Sequence, residues 1–434
     1  MKVPQWVTRR ERRTSTGRHR MSAETAVDES ARGVRAASII YYSVPTMTFD
    51  TTPALPRGFR CASRNVGLKP EAKDLALFVS DVDCAAAALF TRNQFPGAPV
   101  ILGRETIKAG VLRAVVVNSK VSNVATGEAG VQFARRMAAA AASEIGTEAG
   151  KVLVSSTGVI GVPLPIEKIE TGIQGMAAEL GTDPMPGAYG IMTTDTHPKA
   201  LSARVGGATI TWIAKGAGMI EPNMATMLVY IFTDAQFDAV TLDAMLRRAV
   251  EVSFNMLSID TDTSTSDTCA LLANGLAGAV DATAFEATLT AGCIRMAQTI
   301  ARDGEGAKHL ITVTVRGAKT TPEARTIAKS VVNSPLVKTM VAGADPNVGR
   351  LLMAIGKCFD VTIDRSTTDA WINGYPVVVG GTRGTFDDAV VRATLSVEVV
   401  TIEIALAVGS GEATAFGCDL TEGYIQENAA YYSS

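Results

Sequence analysis

The feature that most restricts the fold of this chain is a series of strand-like runs rich in Val, Ile and Leu. They are "LALFVSDVDCAAAALFT" (75–91), "VLRAVVVNS" (111–119), "KVLVSSTGVI" (151–160), "ATITWIAKG" (208–216), "MLVYIFTDA" (227–235), "HLITVTVRGA" (309–318), "DVTID" (360–364) and "SVEVVTIEIALAVG" (396–409). Gly, Asn or Asp bounds them, as expected for strands that enter and leave through turns. Between them lie helical patterns. "GEAGVQFARRMAAAAASEIG" ends on a glycine stop, and "PIEKIETGIQGMAAEL" begins with Pro165, which suits a first helical turn. "LDAMLRRAVEVSFNML" repeats apolar residues near the 3.6-residue period, and "NVGRLLMAIGK" is a shorter version. Strands this apolar need cover, and the intervening helices can supply it, so the class is α/β or α+β with helices on sheets. The spacing is irregular, which argues against a doubly wound parallel sheet. "KGAGMIE" lacks the third glycine of a dinucleotide fingerprint, and there is no P-loop.

The chain has 434 residues, 47% hydrophobic and 19% charged, with a net charge of −2. That balance provides no basic field for nucleic acid. No apolar run reaches the roughly 18 residues of a membrane span. Cys61, Cys84, Cys269, Cys293, Cys358 and Cys418 stand alone, which reads as buried free thiols in a reducing compartment. The three histidines, His19, His197 and His309, form no HExxH pattern, so no histidine metal site is expected. Residues 1–20 carry seven Lys/Arg and one Glu without an apolar core of the secretory kind. Residues 1–52 read as a disordered extension outside the fold, with an organellar transit segment or a nucleic-acid tail as alternatives. The location expected is the cytoplasm.

One segment breaks the strand pattern. "KGAGMIEPNMATMLVY" (215–230) is apolar at both ends, yet two glycines, a proline and an asparagine interrupt it. The chain resumes on Ala225-Thr226. A threonine hydroxyl is a weak nucleophile until a base takes its proton, and an α-amine on the same residue, of pKa near 8, is such a base. Thr226 gains that amine only if the Ala225–Thr226 bond breaks. Attack of the hydroxyl on the preceding carbonyl, followed by hydrolysis of the ester, does this, and the small Ala225 leaves room for it. From spacing alone, a turn re-entering a strand is the favoured reading. A Ser-His-Asp triad has less behind it: "TTDTHPKA" puts Asp195 near His197, but no GxSxG elbow exists, and a surface histidine beside a proline turn accounts for it.

"KGAGMIEPNMATML" resembles the signature of the ornithine acetyltransferase family, also called bifunctional glutamate N-acetyltransferases, of the arginine pathway. Seven further motifs fall in the family's order: "SSTGVIG" (155–161), "MTTDT" (192–196), "SIDTDTSTSDT" (258–268), "DGEGA" (303–307), "NSPLVKT" (333–339), "DPNVGR" (345–350) and "GCDLTEGYIQEN" (417–428). The resemblance implies a chain that cleaves itself between Ala225 and Thr226 into fragments 1–225 and 226–434, with Thr226 as nucleophile. It implies Thr157 and Gly158 as oxyanion stabilisers, and Thr193, Lys215, Thr226, Glu305, Asn428 and Ser433 as substrate-binding residues. The implied reaction is ping-pong transfer of acetyl from N2-acetylornithine to glutamate through an acetyl-threonine. No metal or bound cofactor is implied, and acetyl-CoA is a second donor in bifunctional members. The architecture implied is a sandwich of β-sheets flanked by helices, with a main domain at 53–315 and a smaller C-terminal α/β domain at 316–434. The boundary is placed at the "TVTVRGAKTTPEART" switch. The fragments are expected to stay together, in heterotetramers, with small-molecule substrates and neither nucleic acid nor membrane as partner.

The sequence departs from the family at several places. "DGDTSTNDT" becomes "DTDTSTSDT", through Thr261 and Ser266, and "DPNWGR" becomes "DPNVGR", through Val348. "GEGATK" becomes "GEGAKH" and "NSGNANACTG" becomes "NSKVSNVATG" (118–127). None falls on Thr226, Thr157, Gly158 or Lys215. The alternatives are therefore an acetyltransferase with another acceptor in specialised metabolism, or an amidase-like hydrolase using the same nucleophile.

Overall fold

The computed structural model describes residues 47–221 and 227–429. The expectations for Ala225, Thr226, Ser433 and residues 1–46 lie outside the described residues. Eight strands form a first sheet: β1 (Phe59–Arg64), β2 (Leu75–Phe90), β3 (Val111–Asn118), β4 (Val152–Ser156), β5 (Lys199–Val205), β6 (Ala208–Lys215), β7 (Leu228–Ala235) and β8 (Thr268–Gly278). Its order is β4-β3-β2-β8-β7-β6-β5, with β1 on the first half of β2. The sheet is mixed: β3–β4 and β7–β8 are parallel, while β2–β3, β2–β8 and β6–β7 are antiparallel. The second sheet has β9 (Leu310–Ala318), β10 (Asp369–Ile372), β11 (Tyr375–Val379), β12 (Thr382–Arg383), β13 (Val399–Ala405) and β14 (Gly411–Cys418). Its order is β12-β11-β10-β13-β9-β14.

β7 shows why the sequence reads as continuous apolar. Val229 and Ile231 join the core on one face of the sheet, and Leu228, Tyr230 and Phe232 join the core on the other. With both faces covered, alternation with polar residues disappears. The helix Ala282–Arg302 packs on β5 and β6 of the first sheet and on β9 and β14 of the second. The helix Gly127–Ile145 covers β3 and β4, and ends where Gly146 turns left-handed at φ 67°.

Two sequence expectations change. "DVTID" is not a strand: Val361 N–H closes a turn on Cys358 O, Thr362 N–H is taken by Glu323, and the Asp364 carboxylate caps the turn Arg365–Thr367. The helix expected from Pro165 stops at Ile173. Gly175 turns left-handed there, and the Glu144 carboxylate accepts both Gly175 N–H (2.9 Å) and Ala177 N–H (2.8 Å), which starts a separate short turn.

Candidate active site

β6 and β7 are antiparallel neighbours with Lys215 paired opposite Leu228. The connection 216–227 therefore leaves and re-enters the sheet at one place. Its described part is tied down residue by residue. Gly216 N–H donates to Asp195 Oδ1 (2.6 Å), and Ala217 O accepts from Glu305 N–H (2.9 Å). Met219 and Ile220 N–H both donate to the Asp260 carboxylate (2.6 and 2.7 Å). Glu221 takes Asn333 Nδ2 (2.7 Å), Ser258 Oγ (3.0 Å) and Lys329 Nζ (3.1 Å). On the far side Met227 O accepts from Thr268 N–H (3.0 Å).

Thr157 and Gly158 follow β4 beside this end of β6. Lys215 Nζ lies 3.4 Å from Thr157 Oγ1, and both residues are buried. Gly158 has φ 129°, and a Cβ there would sit 2.2 Å from the Lys120 carbonyl group, so only glycine fits. Its neighbours Thr157 and Val159 donate N–H to Asn118 O and Lys120 O, whereas Gly158 N–H has no acceptor among the described residues. A hydroxyl and an N–H from adjacent residues, fixed by a strand end, are the parts that an oxyanion site needs.

Glu305, whose N–H holds Ala217 O, is buried, and Asn428 Nδ2 donates to its Oε2 (2.7 Å). A Cβ on Gly218 would meet the Glu305 carboxylate at 2.3 Å, so that glycine lets the carboxylate pack onto the connection. Thr193 does not reach Lys215 or Glu305 by a direct bond. Its N–H donates to Asp195 Oδ2 (2.9 Å), whose other oxygen holds Gly216, and it lines a cavity of about 870 Å³ with Lys69 and Met192. The structure thus groups Thr157, Gly158 and Lys215, pairs Glu305 with Asn428, and links Thr193 to the group through Asp195.

Behind these residues lies a charge network that the motifs did not reveal. Lys199 Nζ is fully buried between Asp195 Oδ1 (2.7 Å) and Asp303 Oδ2 (2.5 Å). Thr196 Oγ1 and the half-exposed His197 Nδ1 face the other Asp303 oxygen. His197 therefore meets Asp303 rather than Asp195, and His309 pairs with Asp419. Burial alone would push Asp195 up, but Lys199 and Lys215 outweigh it and hold the carboxyl at about 2. Burial pushes Lys215 below the ordinary lysine value, with Asp195, Asp267 and Glu305 opposing that and Lys199 adding to it. Burial likewise lowers Lys69, to about 8. The i, i+4 spacing of Asp195 and Lys199 in "DTHPK" was the only local signal of the network.

All six cysteines are buried free thiols. Among the described residues no three His, Cys, Asp or Glu side chains are grouped to hold a metal ion, and no helix is long and apolar enough to cross a membrane.

The chain is similar to known proteins over most of its length. The sequence pattern of the ArgJ family matches residues 60–433. The arginine biosynthesis bifunctional protein ArgJ 2 of Clostridium acetobutylicum is 46% identical over 380 residues, 87% of this chain and 98% of the relative. The glutamate N-acetyltransferase Oat2 of Streptomyces clavuligerus is 45% identical over 391 residues, 88% of this chain and 99% of the relative. Among solved structures, the ornithine acetyltransferase of Mycobacterium tuberculosis complexed with ornithine is 36% identical, matching 42% of this chain and all of that one with a TM-score of 0.39.

Proposed function

Since the chain belongs to the ArgJ family, we propose that it is a self-processing glutamate N-acetyltransferase of arginine biosynthesis that moves acetyl from N2-acetylornithine to glutamate. The observation that carries this reading is the meeting of Lys215 and Thr157 at the one place where the 216–227 connection leaves and rejoins the sheet. The connection contains the Ala225–Thr226 bond.

In processing, Thr226 Oγ attacks the Ala225 carbonyl carbon. The C–N bond breaks as an ester forms, and water splits the ester to leave a carboxylate on Ala225 and a free amine on Thr226. In transfer, Thr226 Oγ attacks the acetyl carbonyl. The Thr226 amine takes the hydroxyl proton and passes it to the departing ornithine α-nitrogen. Thr157 and Gly158 hold the oxyanion by O–H and N–H donation. Lys215 and Thr193 receive the substrate α-carboxylate. Glu305, held by Asn428 through one oxygen, receives the side-chain ammonium with the other. The glutamate amine then attacks the ester, its proton returns to Thr226 Oγ, and N-acetylglutamate leaves. Ser433 contacts substrate from the second fragment. Acetyl-CoA is a second acetyl donor, and no step calls for a metal. The fragments remain joined because β6 and β2 of the first pair with β7 and β8 of the second, and two such pairs form a heterotetramer.

Denaturing electrophoresis tests the processing step. Purified protein gives two fragments, and Thr226→Ala gives one 45.4 kDa chain. A single band for the unmodified protein, or two bands for Thr226→Ala, defeats the reading. Acetylornithine turnover that requires glutamate supports transfer. Equal turnover without glutamate makes the protein a hydrolase.

A further inference from the structure

We propose that Lys199 is a positioning residue for acetyl transfer, a buried cation that sets the spacing of the two loops carrying the substrate-binding side chains. The inference rests on the proposed function. Lys199 opens β5, and its backbone is paired with Ala214, the residue before Lys215. Its side chain is fully buried, and its Nζ bridges Asp195 and Asp303, which lie at 2.7 and 2.5 Å from it.

Asp195 spends its remaining acceptor capacity beside Lys215, whereas Asp303 spends its own on Thr196 and His197 and is joined to Glu305 through the chain itself. Asp195 accepts Thr193 N–H at 2.9 Å and Gly216 N–H at 2.6 Å, fixing the backbone on the carboxylate-binding side next to Lys215. Asp303 ends the helix Ala282–Arg302 and leads within two residues to Glu305, on the ammonium-binding side. It accepts Thr196 N–H at 3.1 Å and is only 3% exposed. One ammonium therefore stands between the support of Lys215 and the support of Glu305. The distance between those two groups selects a substrate with a carboxylate at one end and a cation at the other. Lys199 touches neither substrate group, so its effect is expected in substrate affinity more than in the chemical step.

A buried cation between two carboxylates also stabilises the fold simply by neutralising them, and the experiment separates the two roles. Three variants are prepared: Lys199→Met, Lys199→Arg, and the double variant Lys199→Met with Asp303→Asn. The double variant removes one buried cation together with one buried anion and so restores the charge balance. Self-processing, melting temperature, kcat and KM for N2-acetylornithine are measured on each, with the unmodified protein alongside. Lys199→Met is expected to melt well below the unmodified protein. The double variant is expected to recover most of the melting temperature while KM stays raised at least tenfold and kcat changes by less than about threefold. Lys199→Arg, which keeps the charge but not the spacing, is expected to process itself and to show a raised KM.

A double variant with both melting temperature and KM restored overturns the inference and leaves Lys199 as a neutraliser only. So does an unchanged KM in Lys199→Arg. If the unmodified protein shows no acetyl transfer, the proposed function itself has failed, which is a different outcome from either of these.

Discussion

Lys199 and Arg136 each hold two carboxylates, under opposite conditions. Arg136, on the helix Gly127–Ile145, reaches Glu170 (2.6 Å) and Glu167 (3.1 Å) on the helix Ile166–Ile173, and its side chain is 41% exposed. Lys199 meets Asp195 and Asp303 with exposures of 0%, 0% and 3%. Water competes for every contact of the first cluster and for none in the second. The outer cluster staples two helices whose apolar faces already pack. The inner one joins chain segments about a hundred residues apart and holds the backbone beside the site. From this difference, ion pairs at the surface are expected to be dispensable, whereas removing one member of the buried network should leave a charge with nowhere to go.

The largest break expected comes from Gly158→Ala, which needs no charge at all. The added methyl would overlap the Lys120 carbonyl group at 2.2 Å, at a φ that alanine avoids. Backbone cannot yield as a side-chain tip does. Backbone strain and an overlap that backbone cannot relieve add, so the expected loss is about 5 kcal/mol or more, with little soluble protein and no self-processing. Urea unfolding and denaturing gels check this. A fully stable, processed Gly158→Ala would show that the site side is no more tightly built than the outer face.

Asp195→Asn comes next. It leaves Lys199 facing Asp303 alone and deprives Lys215 of an anion, at an expected cost of about 3–5 kcal/mol, as for other broken buried pairs. The pH dependence carries a sign. Asp195 is held at about 2, below the ordinary carboxylate value, so its contribution is complete above about pH 4 and disappears as the pH falls toward 2. Unfolding of the unmodified protein at pH 7, 4 and 2.5 should show that loss in the acid interval. Asp195→Asn should show less of it.

The two clusters were unequally visible in the sequence. Helical periodicity and the Gly146 stop revealed the helix that carries Arg136, and Val-rich runs revealed β3, β4, β6, β7 and β9. β8, "TCALLANGLAG", and the Ala/Thr-rich helix Ala282–Arg302 carry weak local signals, because tertiary burial rather than propensity defines them. "DVTID" has strand composition but no neighbour to pair with, and side chains from elsewhere claim its backbone. In the site, Thr157, Lys215, Glu305 and Asn428 are single polar residues, three of them beside a glycine or at a strand end. Only the family resemblance set them apart from ordinary turn residues. Asp303 joins Lys199 across 104 residues of chain, a distance that no periodicity spans.

A smaller effect, of opposite sign, is expected at Thr261. It stands where the family pattern has glycine, and it keeps the left-handed backbone, at φ 71°. A β-branched residue pays steric strain there. Its neighbours hold the connection: Asp260 takes Met219 and Ile220 N–H, and Asp262 O takes Glu221 N–H. Thr261→Gly should therefore stabilise the protein by about 1 kcal/mol, strain relief exceeding the added freedom of the unfolded chain. It should not slow self-processing. A drop in melting temperature would mean that the threonine side chain supplies a contact worth more than the strain.

Arg136→Ala should have the least effect. The carboxylates it releases, at Glu167 and Glu170, are 76% and 31% exposed and hydrate without rearrangement. The Arg136 stem also lies near the Phe133 ring, with the guanidinium 6.0 Å from its centroid, too far to add much. Shielding by salt should erase most of what remains. The melting temperature is expected to fall by less than about 2 °C in low salt, within the range of surface pairs, and to match the unmodified protein in 0.5 M sodium chloride, with KM and processing unchanged. A fall as large as that of Asp195→Asn, persisting in salt, would remove the distinction between the two clusters, because burial would then not be what makes the Lys199 network matter.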